Sequence, residues 1–174
     1  LEENAVKRED EFTCPGYYVI LGTKIRCHKT NGHGHLNFAE GLQQSCNPIM
    51  MTLAERIGRP TFYNYVRNFG YLEKTGIDLP GEGRSSFWDE DAFGPVDLAV
   101  ASFGQNFKIS MIQHLTAISA VANGGMLVQP YVVESMTDGD GNIVWQHETK
   151  EIRQVVSTSV CKISSIVPEI SHIL

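Results

Sequence analysis

Helix-capping signals recur along this chain and constrain its fold more than any other feature of the sequence. Ser110 and Gln113 form a capping box, and the helix that they begin reaches about Ala122, where Asn-Gly-Gly at 123–125 ends it. We expect Ile112, Leu115, Ile118 and Ala122 to form the buried stripe of this helix, with Gln113 and His114 at the cap and surface. Similar signals predict helices at 36–44 with Asn37 as cap, at 47–56 ending at Gly58, at 61–68 and at 155–166, and one helical turn at 97–101.

Short β-rich segments alternate with these helices. Two arms at 17–20 and 24–26 flank a turn at Gly22, which predicts a hairpin. A second hairpin is predicted from 127–135 and 143–146, around the turn at 138–142. We therefore expect an α+β chain of one domain or part of one, with loops at 31–35 and 74–84. Phe103, Phe107 and Trp88 are expected to be packing residues.

Charge and hydrophobicity exclude several classes of partner. The 174 residues carry a net charge of −6, so a nucleic-acid partner held through phosphate contacts is not expected. No apolar stretch reaches the 18 residues that a membrane-spanning helix needs, and no basic run could hold an anionic membrane surface. The start, Leu1–Asn4, has no signal-peptide features, and we expect this chain to have been cut from a longer one.

Ser45-Cys46-Asn47 is the segment best suited to chemistry. A hydroxyl and an amide two residues apart, in a turn between helices, are able to face one cleft. The spacing alone favours a simpler interpretation, in which Asn47 caps the helix that begins at Pro48 and Ser45 lies in the loop.

The segments around this motif resemble the class B penicillin-binding proteins, most of all their sporulation-specific branch. Several long segments agree in order and approximate spacing, and the similarity is strongest over residues 12–134. The agreeing segments are 33–42, 45–48, Lys-Thr-Gly-Ile-Asp-Leu-Pro-Gly-Glu at 74–82, Ser-Phe-Gly-Gln at 102–105, 120–125 and Pro130.

The resemblance implies a serine D,D-transpeptidase that cross-links peptidoglycan without a cofactor. Its expected ligands are stem peptides ending in D-Ala-D-Ala and β-lactams, with other cell-wall synthesis proteins as further partners. It implies helices packed on a five-stranded antiparallel sheet, most of which is missing here, and a parent anchored at the outer face of the cell membrane. In this family Ser45 would shuttle protons near the catalytic lysine, and Asn47 would bind that lysine and the substrate amide.

Two motifs of the family are not found at their expected places. No Ser-x-x-Lys precedes Ser45, and Ser159–Lys162 fits that pattern only in the wrong order. Lys74-Thr75-Gly76 follows Asn47 too closely to be the distal Lys-Thr-Gly. We therefore expect this chain alone to be inactive. The alternative is a non-catalytic binding module of a cell-wall synthesis complex. After about Val156 the similarity fades, and Pro168 would break a continuing helix.

Four cysteines allow several interpretations. Cys14, Cys27, His28, His33 and His35 match no compact zinc pattern, so we expect no metal and a loop with solvated histidines. A redox disulfide between Cys27 and Cys46 would distort the Ser45–Asn47 motif until it is reduced. Pairing of Cys14 with Cys27 and free thiols are the remaining alternatives.

Overall fold

The computed structural model describes residues 1–164, and the side chains up to Cys161. This part of the chain divides into two compact units, one formed by 1–64 with 87–107 and the other by 65–86 with the residues from 108 onward. The helices are α1 (Phe38–Gln43), α2 (Asn47–Ile57), α3 (Arg59–Asn68), α4 (Pro95–Ala101), α5 (Met111–Ala122) and α6 (Thr158–Ser164). The strands are β1 (Glu11–Cys14), β2 (Tyr17–Ile20), β3 (Thr23–Arg26), β4 (Gly34–Asn37), β5 (Met126–Val128), β6 (Ser135–Thr137), β7 (Ile143–Gln146) and β8 (Glu151–Gln154).

The first unit contains two antiparallel strand pairs. The predicted hairpin is confirmed, since β2 and β3 pair with Ile20 opposite Thr23. The loop predicted at 31–35 is wrong in its second half, because β4 pairs with β1 and Cys14 lies opposite Gly34. Alternation along β1 buries Phe12 and Cys14 and exposes Glu11 and Thr13, so this strand places one thiol in the core.

Two of the helix boundaries predicted for the first unit are confirmed, the start of α1 and the end of α2. Asn37 caps α1 through a capping box with Glu40, and Gly58 ends α2. Buried Ile49 and Met51 direct α2 into two core clusters, one with β1 and one with α4. The predicted packing role of Trp88 and Phe107 is confirmed, because both join an aromatic group with Phe87, Phe93 and Tyr63. Phe103 also packs as predicted, against the core cluster that contains Met51.

The second unit is built around α5, and the stripe predicted for this helix is wrong. Leu115 is 53% exposed and Ile118 is 37% exposed, whereas Gln113 is only 1% exposed. The buried face carries Gln113, Thr116, Ala117 and Ala120, none of which belongs to the predicted stripe. Small side chains on this face let Ala120 pack closely with Leu127 of β5 and with Val155.

The long strand predicted at 127–135 is interrupted. β5 ends at Val128, and the backbone N–H groups of Val132 and Val133 both donate to the Asp78 carboxylate at 2.8 Å. Those two groups are therefore unavailable to a sheet, and pairing resumes only at β6, which forms the predicted hairpin with β7. β8 pairs with β5 and was not predicted.

The C-terminal predictions are met only in part. α6 covers part of the helix predicted at 155–166. The break expected at Pro168 lies outside the described residues. Within residues 1–164, no helix is both long enough and apolar enough to cross a membrane.

Candidate active-site motif and its cysteine cluster

Ser45 lies in the tight turn between α1 and α2. Its φ is +48°, in the left-handed region, and its side chain is exposed. The Ser45 N–H donates to the Leu42 carbonyl and the Cys46 N–H to the Gly41 carbonyl, both at 2.9 Å. These bonds satisfy carbonyls at the end of α1, so the turn is defined by backbone and leaves the Ser45 hydroxyl toward solvent.

Asn47 does not cap α2, so the simpler interpretation of this residue is wrong. The cap position is held by Cys46, and Asn47 is the first helical residue. Its amide nitrogen donates to the carbonyl oxygen of Arg26, at the end of β3, at 3.2 Å. The end of β3 therefore positions the amide, and the amide oxygen is able to accept a hydrogen bond from another group.

Cys46 joins a cluster of sulfur and imidazole ligands directly beneath the motif. The thiol sulfurs of Cys14, Cys27 and Cys46 and one ring nitrogen of His33 all lie within 4.8 Å of one another. The three cysteines are 0–2% exposed, and all are free thiols. The cluster draws its members from the end of β1, the residue after β3, the following loop and the start of α2.

Two glycines let the backbone close around the cluster. Gly16 has φ +93° and Gly32 has φ +80°, and a Cβ on Gly32 would overlap the carbonyl oxygen of Cys14. The Cys27 N–H donates to the Gly16 carbonyl at 2.9 Å, which pins the start of the loop beside β1. Glycine is required here because a side chain would occupy space that neighbouring backbone fills.

The electrostatics of the cluster follow from burial and from neighbouring dipoles. Burial raises the pKa of the Cys46 thiol to about 12, and Cys14 and Cys27 add to this effect. Burial also raises the pKa of Cys14, but hydrogen bonds from the His33 and Gly16 backbone, with those from Cys46 and Cys27, bring it below its ordinary value. Burial lowers the pKa of His33, helped by the charges of His28 and Lys29, and so favours the neutral ring.

Of the three histidines that the sequence grouped together, His28 and His33 stay in contact, with ring centroids 5.1 Å apart, and His35 lies elsewhere. The sulfur of Cys27 lies 3.6 Å from Nδ1 of His33 and 3.8 Å from Nδ1 of the exposed His28. His35 is on β4, where its ring pairs with the Thr13 hydroxyl at 3.1 Å. Sequence reasoning left Cys46 out of the candidate metal ligands, because its position beside Cys14 depends on the long-range pairing of β1 with β4.

The Lys-Thr-Gly segment at 74–76 is a loop in the second unit. The Thr75 N–H and hydroxyl donate to one oxygen of Glu82 at 2.7 and 2.8 Å, and the Gly76 N–H donates to the other at 3.1 Å. The segment is therefore used to close a turn. Ser159 lies on α6 with its hydroxyl 2.9 Å from that of Ser157, and the side chain of Lys162 is outside the described residues.

Comparison with known proteins places the whole described chain in one family. The model of the penicillin-binding protein transpeptidase domain matches residues 1–164. Stage V sporulation protein D of Bacillus subtilis is 40% identical over 139 residues, which are 79% of this chain and 22% of that protein. Peptidoglycan D,D-transpeptidase MrdA of Acinetobacter baumannii is 30% identical over 132 residues, 70% of this chain and 20% of that protein. The chain thus spans about a fifth of the length of these relatives.

Solved structures agree on the fold. A peptidoglycan synthetase from Bifidobacterium adolescentis superposes with a TM-score of 0.83 at 28% identity, covering 92% of this chain and 29% of that one. Penicillin-binding protein 3 of Mycobacterium tuberculosis, solved with aztreonam, gives 0.83 at 23% identity, covering 92% of this chain and 36% of that one. The α+β class expected from the sequence is confirmed by these neighbours.

Proposed function

Since this chain belongs to the penicillin-binding protein transpeptidase family, we propose that it supplies the second active-site motif of a peptidoglycan D,D-transpeptidase. The observation that carries this proposal is the turn between α1 and α2, where exposed Ser45 and strand-anchored Asn47 flank the buried Cys46. That arrangement places a hydroxyl and an amide two residues apart on a turn in which the Ser45 and Cys46 N–H groups are already hydrogen-bonded.

The two side chains have different roles in this proposal. Ser45 relays a proton between a catalytic lysine and the leaving group, which suits a solvent-facing hydroxyl that both donates and accepts. Asn47 keeps its amide nitrogen on the Arg26 carbonyl and uses its amide oxygen to hold the lysine ammonium and the substrate amide. Neither residue is the nucleophile.

The proposed substrate is a peptidoglycan stem peptide ending in D-Ala-D-Ala, and β-lactams are proposed to bind at the same place. The structure of the Mycobacterium tuberculosis relative with aztreonam is consistent with this choice. Catalysis would occur at the outer face of the cell membrane, beside other cell-wall synthesis proteins.

The attacking serine is proposed to lie outside these 174 residues. Within the sequence, Ser-x-x-Lys occurs only at 159–162, after the second motif, and Lys-Thr-Gly only in the turn closed by Glu82. Without a nucleophile and a strand to hold the oxyanion, acyl transfer has no starting point. We therefore expect this chain to be inactive by itself.

A redox disulfide between Cys27 and Cys46 remains part of the proposal for an oxidised chain. The two sulfurs lie no more than 4.8 Å apart, whereas a disulfide bond is about 2.05 Å long. Closing the bond releases two protons and passes two electrons to an external disulfide, and a dithiol reverses the step. Bringing the two sulfurs together would move Cys46, the residue between Ser45 and Asn47.

The test is the rate at which a fluorescent penicillin acylates a polypeptide of the relatives' full length that contains these residues. Ser45→Ala and Asn47→Ala should each lower the second-order acylation rate by roughly 100-fold. Lys74→Ala and Ser159→Ala are the controls and should leave the rate unchanged. Equal rates in all four variants would overturn the assigned roles.

The same reagent separates the two candidate functions. The 174-residue chain alone should remain unlabelled, whereas stoichiometric labelling would place the nucleophile inside it, at Ser45 or Ser159. If the polypeptide that contains the chain is also never labelled, the chain is a non-catalytic binding module instead.

A further inference from the structure

We propose that Cys14, Cys27, His33 and Cys46 form a zinc-binding site in the reduced chain. Three sulfurs and one imidazole nitrogen lie within 4.8 Å of one another, and the Cys27 sulfur is 3.6 Å from Nδ1 of His33. Three cysteines and one histidine are a common ligand set of structural zinc sites. This inference is independent of the proposed function, because metal binding does not require Ser45 or Asn47 to act in catalysis.

The spacing of the ligand atoms fits a tetrahedral ion. With Zn–S bonds of about 2.3 Å and Zn–N bonds of about 2.0–2.1 Å, the edges of the tetrahedron measure about 3.5–3.8 Å. The distance of 3.6 Å between the Cys27 sulfur and His33 Nδ1 equals such an edge. The limit of 4.8 Å on the other pairs means that a contraction of about 1 Å or less would complete the set.

The chemistry of the ligands selects the metal. Thiolates and imidazole are soft to intermediate donors that favour zinc over magnesium or calcium, which take oxygen ligands. Four protein ligands leave no position for substrate or water, and burial of all three cysteines keeps solvent away. The site is therefore structural rather than catalytic.

A disulfide alone does not account for the cluster. Joining Cys27 to Cys46 would use two of the four groups and leave Cys14, at 1% exposure, and His33 with no role. Thiols are weak hydrogen-bond partners, so gathering three of them in one buried place gains little without a metal or a covalent bond. The close backbone approach at Gly16 and Gly32 is the kind of preorganisation that a metal site needs.

The metal would fix the position of the second motif. Its ligands come from β1, from the residue after β3, from the loop that follows and from the start of α2, so one ion ties together four chain segments. Cys46 lies between Ser45 and Asn47, and its coordination would hold the turn that presents both side chains. Zinc binding would thereby stabilise this part of the chain in place of a larger hydrophobic core.

The first measurement is elemental analysis of a polypeptide of the relatives' full length that contains these residues, purified with reductant and without chelator. We expect close to one zinc per chain, and a thiolate–cobalt absorption spectrum of tetrahedral type after exchange with cobalt(II). These readouts need no variant, so a folding defect caused by a substitution cannot confound them. Absence of zinc under these conditions would overturn the proposal, whether the measured mass is that of the fully reduced chain or that of a chain with one disulfide.

Ligand variants test which residues bind the metal. Cys14→Ser and His33→Ala should weaken zinc binding roughly 100-fold or more, since even changes outside the ligand shell cost 10–100-fold. His33→Cys keeps a ligand at the same place and should retain the metal. His35→Ala and Cys161→Ser are matched controls, a neighbouring histidine and a buried cysteine outside the cluster. Full zinc content in Cys14→Ser and His33→Ala would also overturn the proposal.

Discussion

The two units hold their irregular loops by different means. In the second unit the buried amide of Gln113 donates to the Glu73 carbonyl at 2.6 Å, and the Glu82 carboxylate accepts from Thr75 and Gly76. In the first unit the loop from Cys27 to His33 is held by close backbone approach and by thiols. The loop of the second unit is held by hydrogen bonds that are already made. The stability of the loop in the first unit depends on the chemical state of its sulfurs.

The largest effect is expected where backbone meets backbone in the first unit. Gly32→Ala should destabilise the chain by about 3 kcal/mol or more, because the added Cβ combines a left-handed φ with overlap of the Cys14 carbonyl. Urea unfolding measures this change. Gly34→Ala is the matched control, since its φ is +76° but nothing lies within 4 Å, and it should cost only about 1 kcal/mol. Equal costs would show that the close approach contributes nothing.

The second prediction compares the capping boxes of the two units. Gln113→Ala should cost about 2–3 kcal/mol, because it removes a cap and a buried amide and leaves the Glu73 carbonyl without its donor. Glu40→Ala removes the equivalent acceptor from α1, but Glu40 is exposed and should cost about 0.5–1 kcal/mol. Thermal or urea unfolding of both variants gives the comparison. A smaller loss for Gln113→Ala would mean that water replaces the amide.

Local signals predicted the ends of the helices well, and long-range packing explains the errors. The caps at Asn37 and Ser110 and the stop at Gly58 act within a few residues, so the sequence displays them directly. The buried face of α5 depends on which loop lies against it. Gln113 is buried because its amide donates to the Glu73 carbonyl. The spacing of apolar residues along the helix does not reveal such a hydrogen bond, so it could not predict this buried face.

The candidate site was predictable to the same extent. The nearness of Ser45 to Asn47 follows from two residues of chain, and the sequence indicated it. The cluster around Cys46 needs β1 to pair with β4 and the loop to fold back through Gly16 and Gly32. Strand pairing across more than 20 residues is not visible in a periodicity, so Cys46 was considered only as a disulfide partner.

The third prediction uses pH to test the carboxylate that closes the loop of the second unit. Desolvation raises the pKa of Glu82, but the Thr75 and Gly76 hydrogen bonds and the Lys74 charge bring it below the ordinary value. Its contribution is therefore complete above the unfolded pKa of about 4.3 and is lost as pH falls through the lower folded value. Glu82→Gln should cost about 1 kcal/mol at pH 7 and much less at pH 3.

Urea unfolding at the two pH values measures this difference. Glu148→Gln, at an exposed position, is the control and should change stability little at either pH. A cost for Glu82→Gln that is the same at both pH values would show that the charge does not stabilise the loop, and the contrast between the units would then rest on Gln113 alone.

The smallest effect is expected at Asn47, whose side chain donates a hydrogen bond within the first unit. Asn47→Ala should destabilise the chain by only about 0.5–1 kcal/mol, because the bond to the Arg26 carbonyl is solvent-accessible and water replaces the lost donor. Exposed Asn31→Ala provides the baseline in the same urea titration. If Asn47→Ala instead costs as much as Gly32→Ala, this side chain rather than the cysteine cluster holds the turn. A small stability change together with a large loss of acylation would separate positioning of the motif from its chemistry.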